Sequence, residues 1–499
     1  MASASRVREA SLAVAMFVVT ATLVWFGNGL TPWWPLLWFA PLPLFWFALR
    51  SRGWSAALLA FTAWLAGSLN LLGYFRLQHT PFWVWLVDFG GLSLSVAIGV
   101  LMFRALVLRG AVWSGMIAPA ALWVTLDWVR YGFTPHGTGA DLAYTQLEFL
   151  PFLQLASITG PWGMTFLLQL FPAAVAVALH FRKGEPRLAL RVAGVVAGVM
   201  LVVLGYGAVR LGESGPRQSI KVGLVASDIP ENDSIVGAGA DAERLLKAYA
   251  MRAGDLASRG AQIVVMPEKM AAVRDGDVPV DDAIFQAVAN SSGAMLVAGE
   301  LQVSPSAAGL LRYNRAKVFR PQAAAASYDK EHMLPPMESD ETPGTAKLAL
   351  SLGKARLGVA ICKDMDFTSM SLAYADFGTE LMLVPAWDFN SDRTWHGHMA
   401  IMRGVEGGFS VARAAKNGYL TVSDDRGRII AEARSDSGPF ATLVADVPVG
   451  REHTLFQKWG NWFAWVAVGA LAVVLVRLAG LARVGTGLGR GLKVEAVGD

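Results

Sequence analysis

Long blocks of apolar residues alternate with short polar loops through the first 210 residues of the chain. A membrane-spanning helix needs about 20 consecutive apolar residues. Seven stretches before residue 210 approach or meet this length, and an eighth follows much later. Their approximate limits are 9–28, 32–49, 54–74, 82–108, 112–130, 161–181, 188–209 and 460–482. This pattern predicts a polytopic membrane protein with about eight helices.

Basic residues lie at alternate ends of these segments. Arg50, Arg109 and Arg182 follow the second, fourth and sixth segments, and Arg104 lies near the end of the fourth, whereas the intervening loops carry few basic residues. Lys and Arg concentrate in cytoplasmic loops of membrane proteins. We therefore predict that both ends of the chain are cytoplasmic and that the polar region 216–455 lies on the opposite side of the membrane.

The region 216–455 has the composition of a soluble domain, with short apolar runs between amphipathic stretches. Strands are predicted at 220–226, 262–266, 295–298, 317–319, 356–361, 381–384 and 419–423, and helices at 242–258 and 395–415. Strands that alternate with helices indicate sheets covered by helices. The predicted organisation is a membrane domain 1–212, an α/β domain 216–455, an eighth membrane helix 456–483 and a cytoplasmic tail 484–499.

Composition excludes several classes of protein. Hydrophobic residues make up 54% of the chain and charged residues only 16%, whereas a typical soluble protein is about 25% charged. A purely soluble chain and a disordered chain are therefore both excluded. The single cysteine excludes an intrachain disulfide framework and a cysteine-cluster metal site. The net charge of +4 is small for 499 residues and gives no indication of nucleic-acid binding.

Three short runs of the chain, two of them apolar, end in residues that could be catalytic. Glu268 follows the run 263–266, Lys330 closes a Tyr-Asp-Lys sequence, and Cys362 follows the run 356–361. Active sites in α/β proteins gather at the carboxyl ends of strands. A lysine can lower the pKa of a thiol and bind an oxyanion, and a carboxylate can accept the thiol proton. We predict that the three act together, although each alone could be an ordinary buried or surface residue.

The sequences around these three residues resemble the Glu–Lys–Cys signature of the nitrilase superfamily. They read Met-Pro-Glu268, Tyr-Asp-Lys330 and Gly-Val-Ala-Ile-Cys362. With seven membrane segments before the domain and one after it, the chain resembles the apolipoprotein N-acyltransferases within that superfamily. The similarity extends to Phe39-Ala-Pro-Leu-Pro-Leu44, Asp127-Trp-Val-Arg130, Tyr144-Thr-Gln146, Gly160-Pro-Trp-Gly163 and the run from His398 to Gly418.

This resemblance implies a polytopic α-helical membrane bundle that carries an extracytoplasmic α/β domain with the nitrilase-like αββα sandwich. Cys362 would be the nucleophile, Glu268 the general base and Lys330 the group that stabilises the oxyanion, helped by the backbone N–H of Lys363. Supporting roles are expected for Glu338, Lys363 and Asp364, and contacts with substrate for Trp387 and Tyr144. The resemblance implies no metal and no organic cofactor.

The implied reaction moves a fatty acyl chain from a phospholipid to a thioester on Cys362. The acyl chain then passes to the α-amine of a diacylglyceryl-cysteine at the amino terminus of a lipoprotein. We expect a monomer in the bacterial inner membrane, with its catalytic domain facing the periplasm or the cell exterior.

Two departures from the family pattern keep other functions open. The family usually continues Tyr-Glu after the cysteine, whereas this chain has Lys363-Asp364, and the span from Lys330 to Cys362 is short. Both features favour a second hypothesis, a membrane-tethered amidase that hydrolyses a small amide. A third hypothesis is a non-catalytic membrane scaffold or transporter with a degenerate nitrilase-like domain.

Overall fold

The computed structural model describes residues 2–139, 141–213, 218–228, 234–307, 309–450 and 452–490. These residues form a bundle of apolar helices and an α/β domain that packs on one end of the bundle. The last helix of the described chain is Trp462–Arg490, which extends beyond the predicted limit at residue 483. Residues 491–499 of the predicted tail lie outside the described residues.

Within the described chain, seven helical segments are long and apolar enough to cross a membrane. They are Glu9–Gly27, Gly53–Leu77, Phe82–Val107, Val112–Phe133, Pro161–Phe181, Pro186–Gly212 and Trp462–Leu481. The predicted second segment, 32–49, is instead two short helices, Trp34–Leu37 and Leu42–Ala48. Pro41 and Pro43 lie at this break, and proline lacks the N–H that a continuous helix needs. A single continuous helix over 32–49 was therefore wrong.

This broken segment nevertheless carries the chain from one end of the bundle to the other. The carbonyl of Leu30, before the segment, accepts a hydrogen bond from Thr394 of the α/β domain at 3.1 Å. After the segment, Gly53 lies beside Arg104, in the last turn of a neighbouring helix. The helical segment that begins at Gly53 returns to the domain, where Tyr74 donates to Asp392 at 2.8 Å. The described bundle thus contains eight passes, which agrees with the predicted number.

The α/β domain contains thirteen described strands. In chain order they are β1 Gln218–Ala226, β2 Ile263–Val265, β3 Ala272–Arg274, β4 Met295–Ser306, β5 Gly309–Phe319, β6 Ala326–Asp329, β7 Leu348–Leu352, β8 Ala355–Val359, β9 Leu381–Trp387, β10 Ser410–Lys416, β11 Tyr419–Ser423, β12 Ile429–Arg434 and β13 Ala441–Val449. One sheet has the order β13-β1-β2-β4-β5-β6, with β3 paired to β4, and the other has the order β12-β11-β10-β9-β8-β7.

The two sheets pack face to face and are covered by helices on both outer sides. Apolar side chains of both sheets share one core, which includes Val222, Val265, Leu357 and Leu383. Helices Ala240–Ser258 and Val278–Ser292 cover the outer face of the first sheet. Helices Thr368–Asp376 and Trp395–Gly407 cover the second sheet. These four layers form the αββα sandwich expected from the sequence.

Helix Trp395–Gly407 also forms part of the contact with the membrane bundle. Its residue Ala400 packs with apolar residues of the second sheet, whereas Met399 and Met402 belong to the core of the bundle. The helix therefore has one apolar face against the second sheet and another against the membrane bundle, and it joins the two parts of the protein.

The predicted helix over 395–415 was wrong in its second half. The helix ends at Gly407, and Ser410–Lys416 is a buried strand that pairs in parallel with β9. Gly408 has φ +60°, and a Cβ atom there would lie 2.4 Å from the carbonyl oxygen of Glu452. Glycine is the residue that tolerates this conformation and this close approach, so the helix ends here.

Candidate active site

The three predicted catalytic residues come together where strands of the two sheets end. Glu268 follows β2 and Lys330 directly follows β6, both in the first sheet, whereas Cys362 follows β8 in the second. Cys362 also begins a short 3₁₀ helix, Cys362–Asp366. The site is therefore built between the two layers of the sandwich, at their carboxyl ends.

Lys330 is fully surrounded by acceptors. Its ammonium donates to Glu268 at 2.8 Å and to both oxygens of Glu338 at 2.8 and 2.9 Å. Its side chain is only 2% exposed. Burial disfavours the charge, but Glu268 and Glu338 outweigh it and raise the pKa of Lys330 well above its usual value. Lys330 is thus held as a cation beside the sulfur.

Asn314 is a member of this cluster that the sequence did not reveal. Its side-chain N–H₂ donates to Glu268 at 2.6 Å and to Glu338 at 3.0 Å. Asn314 lies in the middle of β5, and no motif marks it. Only the pairing of β5 with β6, which places Arg315 opposite Asp329, brings it next to Lys330.

A second lysine completes the network around the carboxylates. Lys269 donates to Glu338 at 2.5 Å and to Glu341 at 2.9 Å. These contacts fix Glu338, and the two lysines together hold the pKa of its carboxyl down to about 2 despite burial. Glu338 is therefore an anion that contacts both lysines, and its supporting role in catalysis stays a prediction.

Cys362 has an unusual backbone conformation. Its φ is +39°, in the left-handed region that residues other than glycine and asparagine seldom adopt. Such a conformation costs roughly 1–3 kcal/mol and is commonly found at functional sites. The sulfhydryl donates to the backbone carbonyl of Trp387 at 3.4 Å, and the residue is 8% exposed.

The charges around Cys362 keep the thiol protonated at rest. Burial is the largest influence and Glu268 acts in the same direction, so the pKa of Cys362 is raised well above its usual value. Lys330 and Arg413 oppose this shift. Arg413 lies 4.0 Å from the sulfur and is held by two hydrogen bonds to Asp388. A protonated thiol needs a base when it attacks, and the role of Glu268 as that base stays a prediction.

The two residues after Cys362 point away from the carboxylate cluster. Asp364 is fully buried and accepts from the backbone N–H groups of His332 at 2.9 Å and Ile361 at 3.0 Å, and from the hydroxyl of Tyr328 at 2.8 Å. It therefore joins the segment after Lys330 to the segment before Cys362. The ammonium of Lys363 contacts Asp366 at 3.0 Å and His136 of the membrane part at 3.3 Å.

The predicted oxyanion donor is the backbone N–H of Lys363. It is one of the first N–H groups of the helix Cys362–Asp366, and the first N–H groups of a helix have no acceptor within it. Its role in binding the oxyanion stays a prediction.

The two residues predicted to contact substrate lie in different surroundings. Trp387 is next to the thiol, its ring lies 3.5 Å from the ammonium of Lys416, and its indole N–H is buried without a hydrogen-bond partner. Tyr144 is fully buried, and its hydroxyl is bonded to Thr138 and to Arg403. The structure places Tyr144 in the contact between the bundle and the domain, away from the carboxylates.

A histidine pair with metal-like spacing, His396 and His398, does not converge. His396 contacts Asp366 and Asp392, whereas His398 lines a separate cavity of about 400 Å³ with Arg393 and other residues. Among the described residues, no group of three His, Cys, Asp or Glu side chains is arranged to hold a metal ion.

Gly299 allows Glu268 to reach its position, and this gives a prediction. A Cβ atom on Gly299 would lie 2.2 Å from the carbonyl oxygen of Pro267 and 2.7 Å from the Cα of Glu268. We expect Gly299→Ala to displace Glu268 and to lower the rate of acyl-enzyme formation by about 100-fold, because a shift near 1 Å has this effect. Gly276→Ala is the control, since no atom lies within 4 Å of its added Cβ. Equal rates for the two variants, measured by single-turnover mass spectrometry, would contradict the prediction.

Both parts of the chain match known families. Residues 20–174 match the family model of the apolipoprotein N-acyltransferase N-terminal domain, and residues 238–453 match that of the carbon-nitrogen hydrolases. The apolipoprotein N-acyltransferase of Geobacter metallireducens is 27% identical over 473 residues, which cover 88% of this chain and 90% of that protein. That of Shewanella oneidensis is 25% identical and covers 77% and 82%.

Among solved structures, an amidase from Nesterenkonia sp. is similar to this chain with a TM-score of 0.40 and 21% identity. The similarity covers 50% of this chain and 97% of the amidase. The family models cover the membrane part and the α/β domain separately, whereas the named relatives extend across both. The chain is therefore similar to the apolipoprotein N-acyltransferases over most of its length, with an α/β part that matches the carbon-nitrogen hydrolases.

Proposed function

We propose that this protein transfers a fatty acyl group from a phospholipid, through a thioester on Cys362, to the α-amine of the diacylglyceryl-cysteine that begins a lipoprotein. The observation that carries this proposal is the buried cluster of Glu268, Lys330 and Glu338 beside Cys362, in a domain that packs on an eight-pass apolar bundle. Both substrates are lipids, so a thiol close to the membrane bundle is where they could meet it.

The first half-reaction acylates the thiol. Glu268 accepts the proton of Cys362, and the sulfur attacks the ester carbonyl carbon of the phospholipid. The resulting oxyanion is stabilised by the ammonium of Lys330 and by the backbone N–H of Lys363. The carbon–oxygen ester bond then breaks, and the departing alkoxide takes the proton from Glu268. The products are a thioester on Cys362 and a lysophospholipid.

The second half-reaction discharges the thioester. The α-amine of the lipoprotein attacks the thioester carbonyl, and Glu268 accepts one of its protons. The same oxyanion donors stabilise the second tetrahedral intermediate. The carbon–sulfur bond breaks, the sulfur recovers its proton from Glu268, and the amide product leaves. Every proton transfer in this scheme uses one carboxylate that a buried lysine and an asparagine hold in place.

We further propose that the α/β domain faces the periplasm or the cell exterior, and that the bundle lies in the bacterial inner membrane. Arg104 and Arg182 lie at ends of helices that are remote from the domain. The other end of the helix before Arg182 contacts the domain side, because Trp162 donates to Asn461 at 2.8 Å. Basic residues on the side away from the domain support a cytoplasmic location for that side. We expect the protein to act as a monomer, since one chain supplies all the proposed catalytic groups.

Mass spectrometry of the intact protein tests the proposed function. We expect the purified protein in detergent to gain the mass of one fatty acyl group when mixed phospholipids are added, and to lose it with hydroxylamine. A synthetic diacylated lipopeptide should remove the acyl group and gain it as an amide. Protein whose only cysteine has been alkylated is the control. If a panel of small amides is hydrolysed while no phospholipid ever acylates the protein, the amidase is correct and the proposal is wrong.

A further inference from the structure

A chain of charged and polar groups runs from the residue after Cys362 to the end of a membrane helix. Lys363 contacts Asp366 at 3.0 Å, and the other oxygen of Asp366 lies 3.4 Å from Nδ1 of His396. Nε2 of His396 lies 3.4 Å from Asp392, which accepts from the hydroxyl of Tyr74 at 2.8 Å. His396 is thus the only link in this series with a carboxylate at each ring nitrogen.

These contacts determine the charge of His396. A neutral imidazole has one N–H donor, so it could donate to one carboxylate only, whereas an imidazolium donates to both. Burial opposes the charge, but Asp366 and Asp392 outweigh it and raise the pKa of His396 to about 10. Two other titratable groups, Asp388 and His136, interact electrostatically with His396. A third, Lys363, lies nearby and is already paired with Asp366.

The two carboxylates that His396 joins belong to the two segments that hold the thiol. Asp366 ends the short helix that begins with Cys362. Asp392 lies in the loop that follows Trp387, whose carbonyl accepts the hydrogen bond of the sulfhydryl. The side chain of Asp392 also accepts from the backbone N–H of Phe389 at 2.9 Å, which orders this loop. The imidazolium therefore sets the spacing between the segment that carries the sulfur and the segment that orients it.

We propose that His396 is a positioning residue for the acylation of Cys362, acting as a cation that holds Asp366 and Asp392 together. The inference deepens the proposed function and rests on it for the identity of the nucleophile. His396 does not touch the sulfur, so it acts on the reaction through the two loops.

The raised pKa of His396 determines how its contacts with Asp366 and Asp392 depend on pH. A histidine whose pKa is higher in the folded protein than its unfolded value of about 6.5 stabilises the fold fully below that value. That stabilisation declines as the pH rises above this value and is fully lost above about 10. Between pH 7 and 9 the cation is thus retained in the wild-type protein. Removing one carboxylate lowers the pKa of His396, so that His396 loses its charge within this pH range.

The test uses a small activated ester, p-nitrophenyl acetate, which can acylate the thiol without any lipid recognition. We expect His396→Gln to slow the single-turnover acylation of Cys362 by about 30-fold, because the thiol loses its alignment. The half-saturating ester concentration should stay within about twofold, since His396 does not contact the substrate. His396→Lys should recover much of the rate, because an ammonium can also donate to both carboxylates. His398→Gln is the control, since His398 lies two residues away and has no carboxylate partner among the described contacts.

A second variant keeps the test decisive if the His396 variants do not fold. We expect Asp392→Asn to lose acylation rate between pH 7 and 9, a loss that is absent in the wild-type protein. Wild-type rates in His396→Gln, or His396→Lys no faster than folded His396→Gln, would overturn the inference. So would an unchanged pH profile in Asp392→Asn. Because the ester replaces the phospholipid, these outcomes are separate from a failure of the lipid reaction, which would overturn only the proposed function.

Discussion

Cys362→Ala is expected to lower acyl transfer by about 10⁴-fold or more, because removal of a covalent nucleophile has effects of this order. Cys362 is the only cysteine in the chain, so no other thiol can replace it. The variant should also show no acyl mass increment with phospholipid. Both quantities can be measured on the same preparation, by lipopeptide acylation and by mass spectrometry of the intact protein.

Cys362→Gly is the matched companion, because it separates the chemistry from the backbone strain. Alanine keeps a side chain at φ +39°, whereas glycine adopts this conformation without steric cost. We expect both variants to be inactive and the glycine variant to be more stable than the alanine variant by about 1 kcal/mol, measured by thermal unfolding. Substantial transfer by either variant would contradict the assignment of Cys362 as the nucleophile.

The sequence was sufficient to predict the main architecture of the protein because the decisive signals are local. Apolar segment length predicts the membrane passes, and short apolar runs predict the strands that end at Glu268 and Cys362. The errors also have local causes. Two prolines divide the predicted helix over 32–49, and Gly407-Gly408 ends the helix predicted to reach residue 415. A hydrophobic pattern alone does not reveal either interruption, because the segments on both sides of it are apolar.

The partners of the catalytic residues could not be predicted, since they come from distant strands. Asn314 reaches Glu268 across 46 positions, and Arg413 lies near Cys362 across 51. Both contacts depend on strand register and on how the two sheets face each other. Tyr144 illustrates the opposite problem. Its motif resembled the family pattern, but only the structure shows that the Tyr144 hydroxyl forms hydrogen bonds with Arg403 and Thr138.

Lys330→Met is expected to remove both activity and stability. The change takes away the cation predicted to stabilise the oxyanion, a loss of at least about 10³-fold in acylation rate. It also leaves Glu268 and Glu338 without their shared partner in a site where Lys330 is 2% exposed. Breaking a buried ion pair by removing one partner costs about 3–5 kcal/mol. Lys269 and Asn314 still donate to Glu338, so we expect the lower end of this range.

Lys317→Met is the control that separates these two effects. Lys317 is also a buried lysine, 4% exposed, and it pairs with Asp282 at 2.7 Å and Glu300 at 3.0 Å. Asp282 belongs to the helix Val278–Ser292 on the outer face of the first sheet, away from the thiol. We therefore expect Lys317→Met to lower the unfolding temperature while each folded molecule keeps its acylation rate. If folded Lys330→Met also kept its acylation rate, Lys330 would contribute only to stability.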